Sequence, residues 1–344
     1  MRFSIIIPFR NAAATLPRCL EAVVAQTSTD WELILVDNAS TDNSRAVADA
    51  FVASHGQYPI RVVTEAVPGA AAARNAGARL ASGSWLAFTD SDCVPQPDWL
   101  RDMGATMEAD PEPVAFAGCI LPVPADSLVG RFLGLYTLPP YDRNQTLREY
   151  TLTDGGFPTA NFVVRREWFQ KVGGFDPSIY IYGEDHELCR VLYAAGGAIA
   201  QRTDARVLHI HRSSWKGFIR QTFGFGRSHA LMLRRLPAGR LIWDWPLGRL
   251  NRSVPNVRLW VDLNQADKKM WAAMLLAFCW WPLWGLPLAY VFYLAWGVRR
   301  RAIQRYGRMG GIEVLGCTGL LLVKSVVMSS GRWAGSLWYR VVCF

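Results

Sequence analysis

Asp90-Ser91-Asp92 follows directly on an apolar run, Trp85–Thr89. Two carboxylates separated by one residue on an extended turn can reach a single divalent cation, or one can reach the cation while the other takes a ribose hydroxyl. A plain polar turn would use the same residues, so the motif alone does not decide. Glu184-Asp185 stands at the start of a helical pattern over Asp185–Ala195. Acidic groups there complement the helix dipole and cap its amides, and a carboxylate so placed can also accept a proton from a reacting hydroxyl. His209-x-His211-Arg212 closes a short strand pattern, Arg206–His209. Imidazole ligates metals and a guanidinium pairs with phosphate oxygens. A lone histidine is more often structural, and Arg74 on its helix, taken by itself, could be merely a solvated charge.

These groups need a frame. Phe3–Ile7 is a short β-rich run, read as a buried strand that Pro8 ends. Thr15 as N-cap and Pro17 just inside the start predict a helix through about Ala25. Strands follow at Trp31–Val36, Ile60–Thr64 and Trp85–Thr89, with helices from Ser44 to Ala53 and from Ala70 to Ala81 between them. Strands alternating with helices at this spacing imply an α/β, Rossmann-like, mostly parallel sheet flanked by helices. In such sheets the ligand crevice lies beyond the carboxyl ends of the strands. Arg10-Asn11, Asp37 to Asp42 and Asp90-Ser91-Asp92 all fall at those ends. From Val114 to His211 the pattern is mixed, with a strand at Phe162–Arg165 and a helical turn at Glu167–Val172.

Charge divides the chain. Residues 1–200 carry 15 Lys and Arg against 23 Asp and Glu, a balance of −8, whereas residues 201–344 carry 22 against 5, a balance of +17. The acidic part suits a metal-dependent site. The basic part, rich in Trp, suits an anionic lipid surface, and the apolar run inside it argues against nucleic acid. Seven cysteines, odd in number and never spaced Cys-x-x-Cys, point to reduced thiols. The apolar stretch Phe3–Phe9 is too short for a signal peptide and runs into Arg10 and Asn11, so the catalytic part is expected in the cytoplasm.

Trp215, Phe218, Ile219, Thr222 and Phe223 fall on one helical face, the pattern of a helix lying in a membrane interface. Residues 270–298 hold no charge, and lie between Lys268-Lys269 and Arg299-Arg300-Arg301. They are long enough to cross a bilayer. Pro282 and Pro287, bracketing Trp284-Gly285, together with basic residues on both flanks, also fit a re-entrant or interface-lying hairpin. Ile312–Ser329 is a less apolar candidate because Lys324 sits near its middle. The expected organisation is a catalytic domain over 1–212, amphipathic interface helices and a linker over 213–269, and a hydrophobic membrane-associated or transmembrane region over 270–344.

Six motifs appear in order: Ser4-Ile5-Ile6-Ile7-Pro8-Phe9-Arg10-Asn11; Val36-Asp37 through Asp42; Pro68-Gly69 with Ala73-Arg74-Asn75-Ala76-Gly77; Asp90-Ser91-Asp92; Gly173-Gly174-Phe175-Asp176; and Gly183-Glu184-Asp185 with Leu188 and Arg190. Together they resemble the inverting glycosyltransferase family 2, with its GT-A fold, over about residues 1–212. The resemblance implies that Asp37 binds the donor base or ribose and that the loop Pro8, Phe9, Arg10, Asn11 shapes the nucleotide pocket. Asp42 and Arg74 would help hold the nucleotide, with an N-cap role for Asp42 an equal reading. Asp92 would ligate Mn2+ or Mg2+, and Asp90 would support the metal or bond the ribose. Asp185 matches the catalytic base, with Glu184 the runner-up. His211, ahead of His209, would reach the metal or diphosphate, and Arg212 a phosphate.

The same resemblance puts Gly155-Gly156 and Thr159-Ala160-Asn161 on the acceptor side, while Gly173–Asp176 reads as a structural turn. The expected function is metal-dependent transfer from a UDP- or GDP-sugar to a lipid-linked or glycan acceptor in the cell envelope, with membrane lipids as partners. A processive polysaccharide synthase would carry Gln-x-x-Arg-Trp after the acidic pair, and none is present. A non-catalytic nucleotide-sugar binding protein would have lost Asp92 or Asp185. A nucleotidyltransferase would want a Gly-rich phosphate loop where Pro8–Asn11 stands.

Overall fold

The computed structural model describes residues 3–152, 154–180, 182–236 and 239–344. They group into two units, 1–123 with 138–211, and 124–137 with 212–344. In chain order the elements up to residue 211 are β1 (Phe3–Phe9), α1 (Leu16–Val24), β2 (Trp31–Asp37), α2 (Ser44–Ser54), β3 (Ile60–Thr64), α3 (Ala70–Leu80), β4 (Trp85–Phe88), β5 (Cys93–Pro95), α4 (Trp99–Ala109), β6 (Ala115–Pro122), α5 (Leu128–Tyr136), β7 (Gln145–Leu147), β8 (Phe162–Arg165), α6 (Arg166–Lys171), α7 (Glu184–Ala194) and β9 (Ile199–His209). Of these α5 belongs to the second unit.

The first unit is one sheet in the order β3-β2-β1-β4-β8-β6-β9-β5, with β7 also on β9. Its β3-β2-β1-β4 half is parallel throughout, while β8 runs antiparallel to both β4 and β6. Apolar residues on both faces explain why β1 lies inside. Ile5 and Ile7 enter one core with Leu16 and Leu20 of α1 and Trp99 of α4, and Ile6 enters the other with Ala73 and Ala76 of α3 and Leu188 of α7. Each such large side chain contributes roughly 1.5–3 kcal/mol when fully buried. The alanines of α3 let it lie flush on the sheet. A Cβ at Gly77 would sit 2.6 Å from Ile6 Cγ2, so this helix can approach only where the side chain is absent.

The second unit continues with α8 (Trp215–Arg235), β10 (Arg240–Trp245), β11 (Gly248–Ser253), β12 (Arg258–Asp262), α9 (Ala266–Cys279), α10 (Leu286–Tyr306), α11 (Gly311–Tyr339) and β13 (Val342–Cys343). The linker expected within 213–269 is instead a small sheet, β11-β10-β12-β13. It is pinned by buried Ile242, Trp260 and Asp244, with Trp260 Nε1 donating to Asp244 at 2.8 Å. The apolar face of α8 is divided. Phe218 and Thr222 turn inward while Trp215, Ile219 and Phe223 stay exposed. α8 packs backbone to backbone on α11, since a Cβ at Gly226 would lie 2.1 Å from Met328 O and one at Gly331 2.2 Å from Phe223 O.

Residues 270–298 do not form the single span that their lack of charge allowed. The chain leaves the helix at Trp280, turns tightly over Trp281–Leu283, and starts α10 with a proline in its first turn. Pro282 can supply no helical N–H, which stops α9, whereas Pro287 is tolerated at a helix start. The 14 residues of α9 rise only about 21 Å, short of a bilayer core. Among the described residues the helix long and apolar enough to cross a membrane is α11. Lys324, which weighed against it, is satisfied locally, donating to Tyr136 O at 2.5 Å.

Candidate active site

Parallel register sets Phe9 opposite Asp37 and Ile6 opposite Phe88, so the turns leaving β1, β2 and β4 open on one sheet edge. Side chains knit the first two turns together. Asn11 Oδ1 accepts from Thr41 N at 2.7 Å, Ser40 Oγ accepts from Asn11 N, and Asp37 Oδ1 accepts from Ser40 N at 3.0 Å. Asn38 donates to the carbonyls of Glu65 and Val67 and accepts from Gly69 N, which fixes the approach to α3. Asp37 is buried, Phe9 belongs to the core, and Arg10 is exposed. Exposed Asp42 is engaged in the local turn. It bonds Ser44 and accepts from Ala13 N, and the Ser44 hydroxyl holds its carboxyl below the usual range.

At the centre lies Arg74, which α3 carries into the interior with 4 % of its surface exposed. Nη2 donates to Asp90 Oδ1 at 2.7 Å and Nη1 to Glu184 Oε1 at 3.0 Å. One guanidinium thus joins the acidic turn after β4 to the first residue of α7. Burial works against its charge, but Asp90 and Glu184 outweigh that and hold it protonated. The Glu184 carboxyl is pushed up to about 7 by burial and then by the charge of Asp185, against the pull of Arg74.

The acidic pair is aimed by Gly183, whose φ of +104° lies in a region glycine tolerates and other residues avoid. Asp185, half-buried, accepts from His186 N at 2.8 Å. Asn75 exchanges two hydrogen bonds with the Phe175 backbone, so the Gly173–Asp176 turn docks on α3 as a structural element. Asn161 is likewise bound into the core, donating to Cys119 O and Ala205 O and accepting from Trp99 Nε1.

Beyond Asp90, strand register places Cys93 opposite His209. His209 Nε2 comes 3.5 Å from Asp92 Oδ1, and Asp92, Cys93 and His209 offer ligand atoms within 4.8 Å of one another. Burial and the charges of Asp92 and Asp90 raise the thiols of Cys93 and Cys19 and keep them as S–H. His209 Nδ1 is buried without a hydrogen-bond partner, and the ring of His211 packs 4.6 Å from that of His209. The Asp92 oxygen and the His209 Nε2 facing it could together ligate a divalent cation such as Mn2+ or Mg2+. Arg212 is exposed at the start of the second unit. The Arg74 bridge and the Cys19–Cys93 flank were not foreseen. The bridge needs α3 and α7 to meet on one face of the sheet, and the flank needs α1 to pack against β5 on the other.

The family model described as "Glycosyl transferase family 2" matches residues 4–173. Glycosyltransferase AglE of Haloferax volcanii is 28% identical over 241 residues, which cover 69% of the chain and 77% of that protein. A PGL/p-HBAD biosynthesis glycosyltransferase of Mycobacterium tuberculosis is 37% identical over 121 residues, 35% of the chain and 47% of that protein. The chain thus matches about half the length of this mycobacterial relative. Among solved structures, the mannosyltransferase PcManGT from Pyrobaculum calidifontis, in complex with GDP-Man and Mn2+, matches with a TM-score of 0.58 at 18% identity, covering 98% of the chain and 87% of that protein. S. aureus TarS in complex with UDP matches at 0.51 and 16%, covering 97% and 91%. At these identities the structural likeness establishes the GT-A fold.

Proposed function

The chain belongs to glycosyltransferase family 2, and on that premise we propose that it moves a sugar, with inversion, from a nucleoside-diphosphate donor to a lipid-linked or cell-envelope acceptor. The buried Arg74 bridge between Asp90 and Glu184 carries the reading. A charge pair this deep is costly to assemble, and it fixes the two acidic motifs that transfer requires. Asp37, with the loop Pro8–Asn11, receives the nucleoside, and Asp42 orders that loop rather than touching the nucleotide. Asp92 and His209, with His211 beside it, would hold Mn2+ or Mg2+, and Asp90 would support the ion or bond the ribose through its second oxygen. The ion, when bound, neutralises charge on the departing nucleoside diphosphate.

Asp185 accepts the proton of the acceptor hydroxyl. As the new oxygen–carbon bond forms at the anomeric carbon, the bond to the diphosphate breaks on the opposite face. Glu184 is the second reading, because its raised pKa suits a general base near neutral pH. Its bond to buried Arg74 makes half-buried Asp185 the better placed of the two. GDP-Man in PcManGT and UDP in TarS support a GDP- or UDP-sugar donor, and the Mn2+ of PcManGT supports the metal.

The most apolar stretch of α11 is only 28% buried, and Phe278, Trp281 and Trp284 are exposed. That supports membrane association through the second unit, with transfer on the cytoplasmic side, where a soluble donor meets a lipid-borne acceptor. Thermal-shift screening of UDP- and GDP-sugars with and without Mn2+ tests the proposal. Mn2+-dependent stabilisation by at least one donor is expected, and no response to any donor would overturn it.

A further inference from the structure

The second unit holds a cavity of about 440 Å³ lined by residues of α5, α9, α10 and α11. Its wall presents three cations, Lys269, Arg301 and Lys324, beside the rings of Tyr290, Tyr293 and Trp296. Arg301, exposed at the rim, holds its guanidinium 4.7 Å from the centre of the Tyr136 ring. Lys324 Nζ donates to a neutral acceptor, Tyr136 O.

The unit has almost no negative charge left to set against them. Asp244 pairs with Arg249, Asp262 with Arg332 at 3.0 Å, and Glu313 with Arg131. Asp267 is buried under the hydroxyls of Ser325 and Ser329, at 2.6 and 3.0 Å. Asp126, the remaining carboxylate, is exposed and outside the lining. Three like charges lining one partly apolar cavity repel one another, a cost that an anion would relieve.

We propose that this cavity binds an anionic lipid with a phosphate monoester headgroup, its phosphate between Lys269, Arg301 and Lys324 and its first chain carbons along the aromatic wall. The shared chemistry with free phosphate is the anion. The aromatic wall is what selects the lipid, as aromatic rings do at the headgroup level of a bilayer. None of the lining residues is one to which a role in transfer is given, so binding rather than turnover reports on the site.

The test is isothermal titration of the full-length protein, in neutral detergent, with dihexanoyl phosphatidic acid, dihexanoyl phosphatidylcholine and inorganic phosphate. Saturable binding of phosphatidic acid is expected, at least tenfold tighter than either control. Lys269→Gln and Arg301→Gln should each weaken it about fivefold, the share of one near-surface cation. Arg299→Gln/Arg308→Gln, both exposed and outside the lining, should leave it unchanged. Equal binding of inorganic phosphate would overturn the lipid assignment, and equal binding of zwitterionic phosphatidylcholine the need for an anionic phosphate monoester. Full affinity in both cavity variants, or in a Lys324→Met variant with a wild-type melting profile, would overturn the site.

Discussion

Glu184→Gln offers a test whose sign as well as size follows from the Arg74 cluster. The carboxyl of Glu184 is raised from 4.5 to about 7 by burial and by Asp185, against the attraction of Arg74. An acid with a raised folded-state pKa gives stability that is present below 4.5 and is lost as pH climbs through 7. At roughly 1.4 kcal/mol per pH unit the whole displacement is worth about 3 kcal/mol. Glutamine resembles the protonated acid in shape and cannot ionise. It removes the pH-dependent loss while leaving Arg74 its bond to Asp90. The variant should therefore gain on the wild type by about 3 kcal/mol between pH 4.5 and pH 8. For a unit of this size that is roughly 6–12 °C in Tm. Melting of both proteins in the same detergent at half-unit pH steps, read by near-ultraviolet circular dichroism, measures the difference. A flat difference would mean that Glu184 is not held in a charge-averse site. A variant that loses ground as pH rises would mean that Arg74 dominates, and the argument from burial would be refuted.

Asp92→Asn should weaken Mn2+-dependent nucleotide binding by about 10–100-fold, the scale on which metal sites respond to lost support. Unchanged metal dependence by calorimetry would remove Asp92 from the metal site. Gly331→Val should lower Tm by the equivalent of about 1–3 kcal/mol, because its Cβ would strike Phe223 O at 2.2 Å. Gly319→Ala, with nothing within 4 Å, should not, and equal melting of the two would show that α8 and α11 do not depend on that close contact. The protein should sediment with membranes after a 1 M salt wash, since a Debye length of about 3 Å screens only the electrostatic part of the attachment. Release by salt would leave the basic residues, not α11, as the anchor.

The parallel half of the sheet was legible because β1 and β2 are apolar on both faces and each ends in a polar turn. That pattern also located Asp37 and Asp90 at strand ends. Arg74 and Glu184 stood out individually, but their bond joins residues 110 apart in the chain. It depends on how closely the small residues of α3 let that helix approach the sheet. β10 to β12 escaped notice because their Arg-rich, short alternation resembles a linker until Trp260 and Asp244 are seen to pair. In residues 270–298 the absence of charge spoke for a span while Pro282 and Pro287 spoke for a break, and backbone hydrogen bonding decided for the break. Lys324 argued against α11 only while its partner, Tyr136 O, was unknown. The sequence reading put His211 ahead of His209, whereas the pairing of β5 with β9, invisible in the sequence, brings His209 to Asp92.

The central claim, transfer by an acidic pair locked on Arg74 with Asp185 as base, is tested most directly by Asp185→Asn. Membranes holding the wild type or the variant at equal abundance would be given radiolabelled UDP- and GDP-sugars with Mn2+, and label would be counted in the extracted lipid and glycan fractions. Donor binding would be measured alongside. The account predicts transfer reduced about 10²–10⁴-fold with donor affinity retained, as loss of a general base requires. Transfer at the wild-type rate per bound donor would contradict it.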